Sequence, residues 1–262
     1  MTSKTEPRLL CYDLGEGVTA FSTTRHGGVS EANYASFNIN PYCGDSADHV
    51  ARNRQLLADR LGLPASHIVL PHQVHGIEHR AVAPELLDMS DAVRDKILDG
   101  VDMVTTSITG VCIGVSTADC IPVLLYDPVA RATAAIHSGW RGTLQRICQR
   151  AVMAMQLHYG TTPDRLRAVV GPGISLANFE VGQEVYDQFL QAGFDLTETA
   201  EWHTKWHLDL PGINIRELIG CGVAPEHIHH AGICTFDHAD DYFSARRLGI
   251  DSGRIYTGIL MR

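Results

Sequence analysis

A chain of 262 residues, 45% apolar and 7% aromatic, has the material for a sizeable core without disulfides or a structural metal. Its 21 Lys and Arg against 30 Asp and Glu give a formal charge of −9, which argues against nucleic acid as the main partner, because that affinity comes from clustered basic side chains. The N-terminal MTSKTEPRLLCYDLGEG lacks the apolar centre of a signal peptide, and no apolar run is long enough to span a bilayer, so a cytoplasmic protein handling small molecules is expected.

In chain order, β-branched apolar runs at 18–21, 111–115, 121–126, 132–136 and 167–170 read as strands. A helix is expected over 47–61, capped by Asp45 or Ser46 and stopped at Gly62. A second starts at Thr143, where Leu144, Ile147, Cys148, Ala151, Val152 and Met155 recur at helical spacing before Gly160 and Pro163. A third spans 182–192. Strands outnumber helices and several look hairpin-linked, which predicts a mixed-sheet α+β architecture in one domain over 1–262, without internal repeats.

Seven scattered cysteines with no CxxC pair do not form a disulfide framework, and most read as small buried residues. Cys120 differs because it opens a strand-like run that is followed by Asp127, Pro128, Val129, Ala130 and a second run carrying His137. Proline at the second of these four positions suits a type I turn. With Asp127 opposite Ala130, Cys120 falls directly across from His137, with Cβ atoms roughly 5 Å apart on one sheet face. A slip of one residue would separate them.

A third ligand is available from PHQVHG, which supplies His72 and His75 beside the permissive Gly76. A thiolate with two imidazoles suits zinc in an open, catalytic arrangement, and also suits copper. The same Cys120–His137 contact would serve a metal-free cysteine hydrolase. The histidines of HIHH, His227 to His230, follow a Gly-Val-Ala-Pro turn and read as a surface loop. Candidate anion contacts are Arg25 beside a Gly-Gly turn, Arg141 four residues after His137, and Arg246, with Asn38 and Gln73 as further polar candidates. Neither glycine-rich turn, GG after Arg25 or VVGPGIS, matches a P-loop or dinucleotide fingerprint.

FSTTRHGGVS, GD with VARNR, HQVHG, TADCIPVLLYDP, AAIHSGWRGT, VGPGIS followed by FEVG, LDLPGINIREL, and CT before FSARRLGIDSGR together resemble the YfiH-like laccase-domain family, also called multicopper polyphenol oxidases and regarded as purine nucleoside phosphorylases. The resemblance runs almost end to end. It implies a layered α/β/β/α mixed-sheet sandwich shared with deamidating bacterial toxins, and the metal ligands His75, Cys120 and His137. It further implies phosphorolysis of adenosine, inosine, guanosine and methylthioadenosine, with adenosine deamination as a side activity. Zinc is the expected cofactor, with copper possible. Purine nucleosides and phosphate are the expected partners of a monomer or weak dimer. Ala245 departs from the family, which often has an aromatic or histidine there. A copper polyphenol oxidase is the alternative, although a multicopper site calls for more His pairs than the one His-x-His this chain offers.

Overall fold

The computed structural model describes residues 5–262; the first four residues of the N-terminal stretch read above for a signal sequence lie outside them. In the hairpin strands Ile121–Asp127 and Ala132–Ser138 every residue is buried, as expected of strands covered on both faces. They occupy the middle of a six-stranded sheet ordered Ile228–His230, Arg167–Val170, Ile121–Asp127, Ala132–Ser138, Met103–Thr106, His79–Ala81, whose two outermost pairings are parallel.

Strand alternation assigns each face. Val123, Leu125, Ala134, Ile136, Ala168 and Val170 pack beneath the helices Ile147–Tyr159 and Leu210–Gly220. Leu124, Tyr126, Ala135 and Val169 point the other way, against Ile113, Val115, Ile259 and Met261 of a five-stranded sheet. That sheet runs Leu9–Tyr12, Val18–Thr23, Ile255–Met261, Cys112–Thr117, Ile68–Val69. Its outer face, with Phe21, Cys112, Tyr256 and Leu260, is closed by Leu57, Ala58 and Leu61 of the helix Ala47–Leu61. The result is the α/β/β/α sandwich. A three-stranded ribbon of Glu180–Val181, Trp206–Leu208 and Ala200–Trp202 stands beside it. Among the described residues no helix is long and apolar enough to cross a membrane.

Three expectations change. The hairpin loop is longer than a four-residue turn, so that Asp127 pairs with Ala132 and Pro122, not Cys120, lies opposite His137. Asp127 Oδ1 accepts the N–H groups of Val129 at 2.8 Å and Ala130 at 3.0 Å, and Arg131 closes the loop at φ 49°. A two-residue shift leaves the side-chain face unchanged. The helix expected from Thr143 begins earlier, as Trp140–Leu144, and restarts as Ile147–Tyr159 after Arg146 turns to φ 58°. Arg146 is held there by Glu217 Oε1 at 3.2 Å and by the Ala192 carbonyl at 3.1 Å.

Finally, Ile228–His230 is an edge strand beside Arg167–Val170 rather than a surface loop. It covers backbone groups that would otherwise form an open edge. Of the other helices, Ala47–Leu61 ends at a left-handed Gly62 as read. Its Ser46 cap makes no side-chain bond, because Asp45 Oδ1 accepts the Ser46 N–H while Oδ2 binds Ser30 and Asn38. The third helix is Gln183–Gln191.

Candidate metal centre

Cys120 stands immediately before its strand, after Asp119 at φ 89°, a value L-residues adopt only when neighbours enforce it. Three bonds enforce it here. The Asp119 carboxylate accepts the Thr235 hydroxyl and the Arg246 backbone N–H, both at 2.7 Å, and its carbonyl accepts Ile174 N–H at 2.8 Å. One step past the hairpin ladder Cys120 faces Gly139, where a Cβ would lie 3.1 Å from Cys120 Sγ and 3.1 Å from His75 Cδ2. Only a glycine leaves the thiol and that imidazole their room.

His75, at φ 62°, and His137, buried in the Ala132–Ser138 strand, are tied together by a carboxylate that no sequence motif singled out. Asp102, fully buried, accepts His137 Nδ1–H at 2.7 Å and the His75 N–H at 3.0 Å through Oδ1, and the N–H groups of Val74 at 3.1 Å and Gly76 at 2.8 Å through Oδ2. Three successive amides thus form an anion-binding nest around one side chain. The imidazole bond fixes the ring so that Nε2 is the nitrogen left free for the site.

One donor atom from each of His75, Cys120 and His137 lies within 4.8 Å of the other two. The two imidazole rings meet edge-on, centroids 4.9 Å apart at 71°. A single ion can bridge that spread with small side-chain rotations, and a thiolate with two imidazoles is a donor set for zinc or copper. Cys120 and His137 also perturb one another's titration. Burial pushes the Cys120 thiol up, but the charge of His137 and hydrogen bonds from His137 and His75 outweigh it and bring the thiol down to about 6. Burial likewise opposes charge on His137, yet Cys120 and Asp102 hold it up at about 9. For Asp102 burial is again the largest influence and raises its carboxyl; bonding to and the charge of His137, with the Gly76 and Val74 amides, reverse this and lower it.

The three side chains open into a cavity of about 180 Å³. Gln73 lies on its wall, locked to Ser116 by a pair of 2.8 Å bonds to the backbone N–H and carbonyl. Ala245 lies there too, which puts the family departure at the site itself. The structure does not bring Arg25, Asn38, Arg141 or Arg246 onto the wall. Arg25 donates to the carbonyls of Ala35 at 2.9 Å and Ala239 at 2.7 Å. Asn38 is buried and braces Asp45 and the Arg254 backbone. Arg141 is exposed, with its guanidinium 4.4 Å from the Trp140 ring centroid, and Arg246 reaches the Glu180 carbonyl. Residues not anticipated from sequence are Asp102, Arg254 and Tyr42, whose ring lies 4.3 Å from that of His72.

A family model described as multi-copper polyphenol oxidoreductase laccase matches residues 19–262. The chain is 44% identical over 247 residues to a purine nucleoside phosphorylase of Bacteroides thetaiotaomicron, covering 93% of this chain and 92% of that one. It is 40% identical over 248 residues to a protein named adenosine deaminase RL5 from an unknown prokaryotic organism, covering 93% and 94%. The crystal structure of a hypothetical protein YfiH from Bacillus licheniformis superposes with a TM-score of 0.90 at 28% identity, over 98% of this chain and 97% of that one.

Proposed function

Because the chain belongs to the multi-copper polyphenol oxidoreductase laccase family, we propose that it is a zinc-dependent purine nucleoside phosphorylase, acting on adenosine, inosine, guanosine and methylthioadenosine with adenosine deamination as a side activity. His75, Cys120 and His137 hold the ion. The observation that carries the metal part is the bonding of Asp102, which orients the His137 ring and clamps the His75 loop with one carboxylate. A nucleophile–base pair needs only one imidazole, whereas two imidazoles and a thiol turned to one point make a ligand set.

When bound, zinc supplies a Lewis-acidic centre. The chain's own groups supply the rest. Asp102 keeps a proton on His137 Nδ1, so Nε2 stays available as a ligand. Tyr42 and His72 place aromatic rings on the cavity wall, centroids 4.3 Å apart and tilted by 31°, and aromatic side chains are the kind of surface a purine meets. Among the described residues, the His, Cys, Asp and Glu side chains that could share a metal form one cluster, which favours single-ion chemistry over a multicopper oxidase.

Metal-replete protein incubated with inosine is expected to release hypoxanthine only when phosphate is present, read by chromatography. Cys120→Ala is expected to lose both metal and turnover; undiminished phosphorolysis in that variant sinks the assignment. A cysteine hydrolase is the second reading, favoured by the lowered thiol, the raised imidazole and Asp102 behind it. Chelator-insensitive activity in metal-free protein would decide for it.

A further inference from the structure

Arg254 is the one guanidinium on the wall of the metal-site cavity, and among the described residues no carboxylate lines that cavity. The wall also carries Cys120 and the imidazoles of His75, His137 and His72, the last bonded to Asp99 at 2.6 Å. A guanidinium on a wall without carboxylates attracts an anion, and the arginines read from sequence as anion contacts are turned to carbonyls or to solvent.

The bonding of Arg254 leaves it ready for that role. Its Nη1 donates to the carbonyls of Ser252 at 2.5 Å and Gly253 at 3.0 Å, and its Nη2 to that of Ile250 at 3.0 Å. Its backbone N–H is fixed on Asn38 Oδ1 at 3.1 Å. Arginine has five side-chain N–H donors. Nε–H and one Nη2–H therefore keep no partner among the described residues. Nε with an Nη is the side-on fork that meets two oxygens of a tetrahedral anion. Three carbonyls orient the guanidinium without neutralising it. Asp45, on the loop that carries Cys43 of the same wall, is occupied by Ser30 and Asn38.

We infer that Arg254 binds the oxyanion of the reaction, inorganic phosphate, beside the His75–Cys120–His137 centre; this rests on the phosphorylase reading. Phosphate titrated calorimetrically into the zinc-loaded protein reads the site without turnover, and steady-state kinetics reads it with turnover. Arg254→Met is expected to weaken phosphate binding and raise the phosphate KM by about tenfold or more, as loss of a charge-assisted bidentate contact does. Zinc content and nucleoside KM are expected to stay within about twofold, because neither depends on the fork. Arg254→Lys keeps the charge without the fork and should fall between, and it carries the test if the Met variant does not fold.

Phosphorolysis with unchanged phosphate affinity in either folded variant overturns the inference while leaving the phosphorylase reading intact. Phosphate binding that depends on Arg254, in a protein that turns over no nucleoside, keeps the anion site and sinks the reaction. A response to inosine 5′-monophosphate that depends on Arg254, with none to inorganic phosphate, overturns the co-substrate assignment in favour of a phosphate carried by the substrate.

Discussion

Asp102 accepts four hydrogen bonds at a position where nothing in the local sequence, LDGVDMVTT, announces a role. Its effect on the site is through orientation, so Asp102→Asn should weaken zinc affinity by about 10–100-fold, the usual consequence of losing a carboxylate behind a ligating histidine. Chelator competition measures this, and an unchanged affinity would show that the bond is incidental. Gly139 offers a steric counterpart. A methyl group there would press on both Cys120 and His75, and Gly139→Ala is expected to cost about 1–3 kcal/mol as overpacking and to lower metal content in a protein whose circular dichroism is unchanged. Full metal occupancy in that variant would mean the site gives way more easily than its contacts suggest.

The hairpin shows how far the sequence could be read at the level of elements. Continuous apolar runs rich in β-branched residues identified both strands, and the Cys120–His137 association survives because the pairing is displaced by two residues, an even number. The displacement itself was hidden in Asp127, whose side chain caps the loop in place of a backbone turn. Arg131 follows from it: at φ 49°, Arg131→Gly should hold or raise stability by up to about 1 kcal/mol, while the β-branched Arg131→Val should lose about 1–2 kcal/mol. Thermal melts of the two variants that coincide would remove the loop account. The arginines were less legible than the strands. Arg25 and Arg246 are turned away by carbonyls 214 and 66 positions distant, whereas Arg254 is oriented by carbonyls within four residues and reaches the cavity only because the strand it precedes is brought there. Asp102 was invisible for the same reason, acting on His137 across 35 positions.

Across the whole molecule, a second ionisable group away from the metal centre sets a pH response. Burial lifts the Glu217 carboxyl from 4.5 to about 7, only partly offset by Arg146, with Cys148 and Cys221 nearby. Between those values the folded state holds a proton that the unfolded chain releases, so stability falls as pH rises through this window. Glu217→Gln should thus match the native protein more closely at pH 5 and exceed it in Tm at pH 8; a difference independent of pH would refute the buried-proton account. The sandwich also has a temporal side. Val18–Thr23 is flanked by Ile255–Met261, and Ser22 and Thr257, 235 positions apart, share a 2.7 Å hydrogen bond. An early strand must therefore wait, edge bare, until almost the whole described chain has been synthesised. Folding is slow when its decisive contacts are this distant, so a stalled nascent chain lacking residues 255–261 would expose a sticky half-sheet, a natural client for chaperones.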